Sequence, residues 1–258
     1  MDLELKGSLF CVTGATSGFG KAIAERLMEE GANVIINART KGRLDEMKAL
    51  YGDQVEILEG NITTDAVIAD LFRMVGNRKL SGLVVNAGGP PAMSFLETEL
   101  KDWDEAYRHI LRWKVKIVQE VLDKMIPQNY GRIVFIESAS VKQPIENLVL
   151  SNSLRLAVVG FVKTLSQEIA NKGITLNVLA PGYHNTPAME RLFTKKGMLL
   201  GISPDEAKEI FEQETKVGKL GDADDLASLA SWLLSPASRY VTGQTISIDG
   251  GLIKGTMG

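Results

Sequence analysis

Glycines are spaced along residues 14–20 in a pattern that can hold a phosphate group. Gly14, Gly18 and Gly20 follow the apolar run Leu9–Val12 and precede an amphipathic stretch. Glycine lets the backbone come close to an anion, and the N–H groups and positive dipole end of a following helix favour negative charge. Because this spacing lies between a strand pattern and a helix pattern, it predicts a dinucleotide site rather than an ordinary corner.

A second feature with chemical consequences stands at the end of the next apolar run, Val34–Asn37. NAD sites usually place an acidic residue there to hold the ribose 2′-hydroxyl. This chain has Ala38 followed by Arg39. No carboxylate repels a 2′-phosphate at this point, and a guanidinium can bind one with two hydrogen bonds. The sequence therefore favours NADP(H) over NAD(H), the alternative being that Arg39 only ends a strand at the surface.

The elements that must position these residues alternate along the chain. Helical patterns lie near residues 18–30, 41–50, 64–76, 99–126, 151–171 and 222–234. The predicted strands are Leu9–Val12, Val34–Asn37, Val55–Leu58, Leu83–Asn86, Ile133–Ile136, Leu176–Leu179 and Thr245–Ile248. Nearly continuous apolar strands indicate a sheet that is buried on both faces, and their alternation with helices indicates parallel connections. Residues 1–258 are thus expected to form a single α/β domain, a doubly wound parallel sheet of about seven strands with helices on both faces.

Bulk composition excludes several classes of function. The chain has 258 residues and a net charge of −3, which gives no general argument for binding nucleic acid or a membrane surface. No apolar run is long enough to span a bilayer, and the N-terminus does not look like a secretory signal. The lone cysteine, Cys11, excludes an intrachain disulfide and fits a reducing cytoplasm. We expect a cytoplasmic protein without a metal site.

One section breaks the alternation. From about residue 185 to residue 221 the chain carries Pro187, Gly197, Gly201 and Pro204 with helical pieces between them. Insertions of this length are often lids or binding loops, and an irregular surface excursion is the alternative. The section also carries apolar residues that suit either a lid over an apolar substrate or ordinary packing: Leu192, Phe193, Met198, Leu199 and Leu200.

Motifs along essentially the whole chain resemble those of the short-chain dehydrogenase/reductase family. They are Thr13-Gly14-x-x-x-Gly18-x-Gly20, Asn86-Ala87-Gly88, the segment Pro181–Thr186, the segment Tyr240–Gln244, and Asp249-Gly250-Gly251. The resemblance implies a Rossmann-type fold, an NAD(P)-dependent oxidoreductase acting on a small carbonyl or alcohol, and a homotetramer or homodimer. Within the family the chain most resembles bacterial 3-oxoacyl-carrier-protein reductases and glucose-dehydrogenase-like members.

The resemblance also implies which residues hold the cofactor. Asn61 stands where the family often has an aspartate near the adenine, and Arg155 takes the position of a lysine that binds the cofactor ribose. The implied set is Thr13, Gly14, Thr16, Ser17, Gly18, Phe19, Gly20, Arg39, Asn61, Asn86, Ala87, Gly88, Arg155, Pro181, Gly182 and Thr186.

The catalytic positions implied by the resemblance are unusual. The family carries an asparagine, a serine, a tyrosine and a lysine, and this chain has Ile110, Ser138, Ser151 and Arg155 at those positions. A serine hydroxyl is a much weaker acid than a tyrosine phenol, whose pKa is about 10, and arginine cannot act as an acid or base. Two hypotheses remain: an oxidoreductase with an altered active site, and a nucleotide-binding protein without turnover that acts as a sensor or structural partner.

Other residues could replace the missing proton donor. His184 lies beside the expected nicotinamide position and has a suitable pKa, so it is the best of the candidate substitutes, although an ordinary loop role without catalysis is the favoured interpretation. Tyr107 precedes Ile110 by three positions and is expected to share its helix face, in a packing role. His109 is expected at the surface, and Glu137 is interpreted as a strand-end residue rather than a neighbour of the site.

Arg108, Arg112 and Lys116 form a basic stripe at helical spacing. Such a stripe could dock an acidic acyl carrier protein. We favour the ordinary interpretation, a solvated helix face that pairs with acids such as Glu105 and Glu120. Contacts between subunits compete for the same surface in the family that the chain resembles.

Overall fold

A computed structural model describes residues 2–256, apart from the side chain of Ala188. Its sheet has seven strands, all parallel, in the order β3-β2-β1-β4-β5-β6-β7. The strands are β1 Leu9–Thr13, β2 Asn33–Ala38, β3 Val55–Glu59, β4 Gly82–Val85, β5 Gly131–Ile136, β6 Ile174–Pro181 and β7 Thr245–Ile248. The predicted strands and the doubly wound fold are confirmed, with boundaries that move by one or two residues.

Helices connect successive strands. They are α1 Gly18–Glu29, α2 Lys41–Tyr51, α3 Asp65–Val75, α4 Leu100–Tyr107, α5 Trp113–Gln128, α6 Val149–Ile169, α7 Pro187–Leu200, α8 Pro204–Glu214 and α9 Ala223–Leu234. A π-helical turn, Arg108–Arg112, joins α4 to α5. Turns of this kind are rare and are often found at functional sites.

The two faces of the sheet bury separate apolar cores, which explains why its strands are apolar at successive positions. In β1, Leu9 and Cys11 pack into the core that α3, α5 and α6 cover. Phe10 and Val12 point to the other core, under α1, α2 and α9. Burial raises the pKa of the Cys11 thiol to about 12, so it stays protonated and acts as a small apolar residue.

The section that breaks the alternation forms α7 and α8, which share a small apolar core of their own. Phe211 packs edge-on against Tyr183 and lies beside Phe193, with Met189 and Leu220 in the same cluster. This core shows that α7 and α8 are a packed helical unit. The alternative interpretation, an irregular surface excursion, is therefore wrong for most of the section, while its role as a lid stays a prediction.

The α7–α8 unit touches the loop that follows β4. Lys195 donates a hydrogen bond to the carbonyl of Ala92 at 3.2 Å. The strand order reverses between β1 and β4, and in doubly wound sheets ligands bind at the carboxyl ends of strands at such a point. The fold thus opens its ligand crevice where β1, β4 and β5 end, with α7 and α8 at one side. Within the described residues, no helix has the length and apolar character needed to cross a membrane.

Candidate active site

Thr13 ties the end of β1 to the end of β4. Its Oγ1 accepts a hydrogen bond from the Asn86 N–H at 2.8 Å and donates to the Asn86 carbonyl at 2.7 Å. The Asn86 side chain donates in turn to the carbonyls of Thr13 and Gly14, at 3.3 and 3.2 Å. Two of the predicted motifs, which are 73 residues apart in the chain, therefore form one hydrogen-bonded unit.

The glycine turn needs glycine for two reasons. A Cβ on Gly20 would lie 2.2 Å from the Gly14 carbonyl oxygen, and one on Gly14 would lie 2.8 Å from that of Asn86. Gly14 and Gly18 also have φ values of 61° and 51°, a region that favours glycine. The turn is thus packed so tightly on Asn86 that only glycine fits.

The start of α1 is open to an anion. Ser17 at its N-cap makes no side-chain capping bond, and its first turn holds no acidic residue. The first N–H groups of a helix lack partners within it, and the helix dipole favours negative charge there. A Cβ on Gly18 would lie 3.5 Å from the Thr186 methyl group, so the segment expected at the nicotinamide borders the turn. Thr16, Ser17, Phe19 and Thr186 are all half-buried around this opening.

At the adenine side, Arg39 is exposed just beyond β2. Its guanidinium has no hydrogen bond or ion pair within residues 2–256 and is therefore available to an anion. Asn61 is exposed as well, and its Oδ1 accepts hydrogen bonds from the N–H and hydroxyl of Thr63 at 3.2 and 3.0 Å. The Asn61 side chain therefore stabilises the turn before α3, whatever it contributes to a ligand.

A buried polar network lies at the carboxyl end of β5. The Arg155 Nε donates to the Ser151 Oγ at 3.1 Å, and its Nη1 donates to Glu137 Oε2 at 2.9 Å. Glu137 Oε1 accepts from the ammonium of Lys114 on α5. Lys114 and Arg155 are only 3% and 8% exposed, and the Glu137 side chain is fully buried. The interpretation of Glu137 as a mere strand-end residue is therefore wrong, because it ties α5, β5 and α6 together.

The remaining guanidinium nitrogen of Arg155 faces the loop after β4. Nη2 would lie 3.0 Å from a Cβ built on Gly89, and it donates no hydrogen bond within the described part of the chain. Ala87 and Gly88 precede Gly89 and line the same edge. Ala87 is half-buried, and Gly88 is exposed. Arg155 thus keeps two N–H groups for a ligand at this edge.

Ser138 follows Glu137 directly and is half-buried. Its Oγ accepts a hydrogen bond from the Ser140 N–H at 3.2 Å, so the hydroxyl hydrogen is left to donate. The Ser151 hydroxyl is in the same state, since its oxygen already accepts from Arg155. Ser151 and Arg155 are hydrogen-bonded to each other, and Ser138 follows Glu137, the carboxylate partner of Arg155, at the carboxyl end of β5.

The charges of this network act on one another. Burial lowers the pKa of Lys114 to about 8, Glu137 opposes that shift, and Arg155 adds to it. At neutral pH two cations thus surround one carboxylate. A buried ion pair is costly unless its hydrogen bonds are satisfied, and Glu137 uses both of its oxygens here.

The π-helical turn carries Ile110, which is 2% exposed and packed in the core. Tyr107, three residues earlier, is 47% exposed. The expectation that both share one helix face is wrong, because a π turn shifts the phase by one residue. His109 is exposed and lies 3.7 Å from Glu105, as expected of a surface residue.

His184 is buried between the glycine turn and the α7–α8 unit. Its ring packs edge-on against Phe19 with centroids 5.0 Å apart, and its Nδ1 lies 3.2 Å from the Gly182 carbonyl oxygen. A Cβ on Gly221 would lie 2.7 Å from the imidazole. Burial lowers the pKa of His184, so the neutral ring is the stable form. Pro181 ends β6 just before this segment.

Two members of the basic stripe are paired. Arg112 makes two hydrogen bonds to Asp65, at 2.7 and 2.8 Å, and Lys116 bonds to Glu120 at 2.6 Å. The expected partner Glu120 is confirmed for Lys116, and Asp65 on α3 is an additional one. Their charges are thus already balanced on the protein surface.

These features fit a dinucleotide such as NAD(P). The tight glycine turn, the open helix start and the unused Arg155 donors lie along one edge of the sheet, at its topological switch point. Among residues 2–256, no cluster of His, Cys, Asp and Glu side chains is arranged to hold a metal ion. Fold and site together define a doubly wound dinucleotide-binding protein.

Comparisons with known proteins identify a family within this class of dinucleotide-binding proteins. Residues 14–253 match a family model described as enoyl-(acyl carrier protein) reductase. The chain is 30% identical to 3-oxoacyl-[acyl-carrier-protein] reductase FabG of Aquifex aeolicus over 98% of its own length and all of the relative's. It belongs to the short-chain dehydrogenase/reductase family and is, by class, an NAD(P)-dependent oxidoreductase.

Solved structures agree with this assignment. YwfH, described as an NADPH dependent reductase involved in bacilysin biosynthesis, superposes with a TM-score of 0.90 at 25% identity, over 97% of this chain and 100% of that one. A variant of actinorhodin polyketide ketoreductase with NADPH gives 0.90 at 28% identity, over 95% of this chain and 97% of the other.

Lys114 is a functional candidate that the sequence reasoning missed. It lies on the helix face that also buries Ile117, Val118 and Val121. A lysine at a buried position of an otherwise apolar face is rarely found without a partner. A lysine on the apolar face of α5 was visible in the sequence, although this position does not identify Glu137 as the partner.

Proposed function

We propose that the chain is an NADP(H)-dependent oxidoreductase that reduces a carbonyl compound, or oxidises the corresponding alcohol, with Ser138, Ser151 and Arg155 in place of the usual tyrosine–lysine pair. The observation that carries this proposal is the convergence of Ser151, Arg155 and Glu137 beside Gly89 at the open edge of the sheet. The bound cofactor supplies the hydride.

The protein's own residues then have separate tasks. Ser138 donates a hydrogen bond to the substrate oxygen and fixes its position. Ser151 donates its hydroxyl proton to that oxygen as the hydride adds to the carbonyl carbon, and the Ser151 alkoxide then regains a proton from water. The Ser151 oxygen accepts a hydrogen bond from Arg155 Nε, which leaves its hydroxyl hydrogen free for this transfer. The Arg155 charge stabilises the negative charge that develops during this transfer, and its Nη2 binds a ribose hydroxyl.

We assign the proton transfer to Ser151 rather than to His184. The imidazole is buried against Phe19 and Gly221, and its Nδ1 is engaged by the Gly182 carbonyl. Its neutral form is favoured, which makes it a poor acid at neutral pH. We therefore give His184 the task of holding Phe19 and the glycine turn in place.

NADP(H) is preferred over NAD(H) in this proposal because Arg39 is exposed beyond β2 and has no protein partner within residues 2–256. Two relatives whose names mention NADPH support the same preference. The substrate is a small molecule with a carbonyl or hydroxyl group. A 3-oxoacyl thioester on an acyl carrier protein is included, as the FabG relative's name indicates.

A second candidate function is nucleotide binding without turnover. The buried apolar side chain of Ile110, at the position where the family has a catalytic asparagine, favours it. In that case the protein would act as a sensor of the cofactor or as a structural partner, and the Arg155 network would serve binding alone.

One experiment tests both candidates. NADPH and NADH are titrated by fluorescence, and hydride transfer is then assayed with a panel of ketones, oxoacyl thioesters and sugars. We expect NADPH binding and slow turnover, because the loss of a positioned acid commonly costs about 10²–10⁴ in rate.

The double variant Ser151→Tyr/Arg155→Lys restores the family pair and should raise a low wild-type rate. Ser153→Tyr, at an exposed position of the same helix, is the matched control and should change nothing. Absence of nucleotide binding would contradict both candidates. Tight binding with no turnover in the wild type, followed by activity in the double variant, would refute the first candidate.

A further inference from the structure

Lys114 and Glu137 are the buried charged groups of the site that the proposed reaction does not use. Glu137 is the only carboxylate that contacts Arg155 in residues 2–256, and Lys114 lies on the opposite side of that carboxylate. Removing three charged groups from water is expensive. The charge of Glu137 is already compensated by its ion pair with Arg155, without Lys114. The presence of a second cation therefore calls for an explanation.

The net charge of the cluster explains the presence of Lys114. An Arg155–Glu137 pair is neutral as a whole, and a neutral pair exerts only a weak field on a neighbouring ligand. With Lys114 protonated, the three groups carry a net charge of +1, held by hydrogen bonds and shielded from water. Arg155 brings this field to the edge of the sheet, because its Nη2 points at Gly89.

We propose that Lys114 and Glu137 are positioning residues that hold Arg155 in a buried cluster of net charge +1, and that this charge makes the site bind the reduced cofactor in preference to the oxidised one. The inference rests on the proposed function, since it needs a nicotinamide at the Arg155 edge. The oxidised ring is a cation and the reduced ring is neutral, so a fixed positive charge repels only the oxidised form.

The electrostatic surroundings of Lys114 support this assignment. The charged groups that act on it are Glu137, at the end of β5, and Arg155 on α6, and the Trp113 ring lies 5.9 Å from its ammonium. Burial lowers the pKa of Lys114 to about 8. The net charge of the cluster is thus present at neutral pH and is lost as pH rises above that value.

The ratio of NADP⁺ to NADPH dissociation constants measures the effect without any substrate. A unit charge within about 10 Å at an effective dielectric constant of about 20 changes this ratio on the order of tenfold. Lys114→Met removes the net charge and should lower the ratio by about that factor. Lys116→Met is the matched control, because it removes a half-exposed charge that pairs with Glu120 on the same helix and should leave the ratio unchanged.

The double variant Lys114→Met/Glu137→Gln separates charge from structure. It leaves Arg155 as the one charge of the cluster, so the net charge returns to +1 and the ratio should return to the wild-type value. A merely structural role predicts no such recovery. Binding of adenosine 2′,5′-bisphosphate, which lacks the nicotinamide, should be equal in all variants and shows that the adenine half is intact.

The wild type provides a test that needs no variant. The ratio of its NADP⁺ to NADPH dissociation constants should fall between pH 7 and pH 9.5 as Lys114 loses its proton. A ratio that stays constant with pH and is unchanged by Lys114→Met would overturn the inference while leaving the proposed function in place. Failure of the wild type to bind either form of the cofactor would instead overturn the proposed function.

Discussion

The hydrogen bonds of Thr13 give a sharp test of how the site is held together. Thr13→Val keeps the shape of the side chain but removes the hydroxyl that accepts from the Asn86 N–H and donates to the Asn86 carbonyl. A hydrogen bond contributes about 0.5–1.5 kcal/mol net, and a buried donor left without a partner costs about 1–3 kcal/mol. We therefore expect the free energy of unfolding to fall by about 2–3 kcal/mol.

The chain contains a matched control for this substitution. Thr175 is a buried threonine of β6 whose Oγ1 has no hydrogen-bond partner within the described residues. Thr175→Val should therefore be neutral or slightly stabilising, because it removes a buried polar group that has no partner. Urea denaturation of both variants measures the difference directly.

Cofactor binding gives a second readout. Asn86 precedes Ala87 and Gly88 at the edge of the site, so loosening it should weaken NADPH binding about tenfold, which corresponds to about 1.4 kcal/mol. Equal stability of the two threonine variants, or unchanged NADPH affinity in Thr13→Val, would refute the reasoning that joins the two motifs into one unit.

Three further predictions concern other parts of the molecule. Arg39→Ala should reduce the preference for NADPH over NADH about tenfold in fluorescence titrations, since one charge-assisted contact to the 2′-phosphate is lost; an unchanged preference would exclude Arg39 from the site. The lowered pKa of His184 means that the unfolded chain takes up a proton more readily, so the free energy of unfolding should fall as pH drops below 6.5. His184→Gln should lose this part of the pH dependence between pH 7 and 5.5, and an identical slope would contradict the assignment. Phe211→Ala should lower the stability of the α7–α8 core by about 3–5 kcal/mol. Hydrogen exchange should then become faster in α7 and α8 than in β5. Equal protection of these elements would argue against a separate packed unit.

The strands could be predicted because a sheet buried on both faces leaves an unambiguous pattern. Phe10 and Val12 face one core, and Leu9 and Cys11 face the other, so β1 is apolar at every position. The glycine turn was equally visible, because its requirement is local. A Cβ at Gly20 would meet the carbonyl of Gly14, only six residues away.

The π turn could not be predicted from helical periodicity. One extra residue in the turn Arg108–Arg112 rotates the side-chain positions of α4 relative to those of α5. Tyr107 and Ile110 therefore separate, one to solvent and one to the core, although three residues normally bring side chains to one face.

The charge network could not be predicted because its members come from three elements. Glu137 lies 23 positions from Lys114 and 18 from Arg155, and no periodicity relates those distances. The packing of α5 and α6 beside the end of β5 brings the three together, and that is tertiary information. The sequence indicated Ser138, Ser151 and Arg155 as groups able to act, whereas the roles of Lys114 and Glu137 became visible only in the fold.

The most direct test of the central claim uses NADPH carrying deuterium at the transferred position of the nicotinamide. Both stereoisomers are incubated with the protein and the panel of ketones, oxoacyl thioesters and sugars, and the products are examined by mass spectrometry. We expect one stereoisomer to yield an alcohol carrying a single deuterium atom, at a rate that Ser151→Ala lowers. Tight NADPH binding with no labelled product from either stereoisomer would contradict the assignment of Ser138, Ser151 and Arg155 as a working catalytic set.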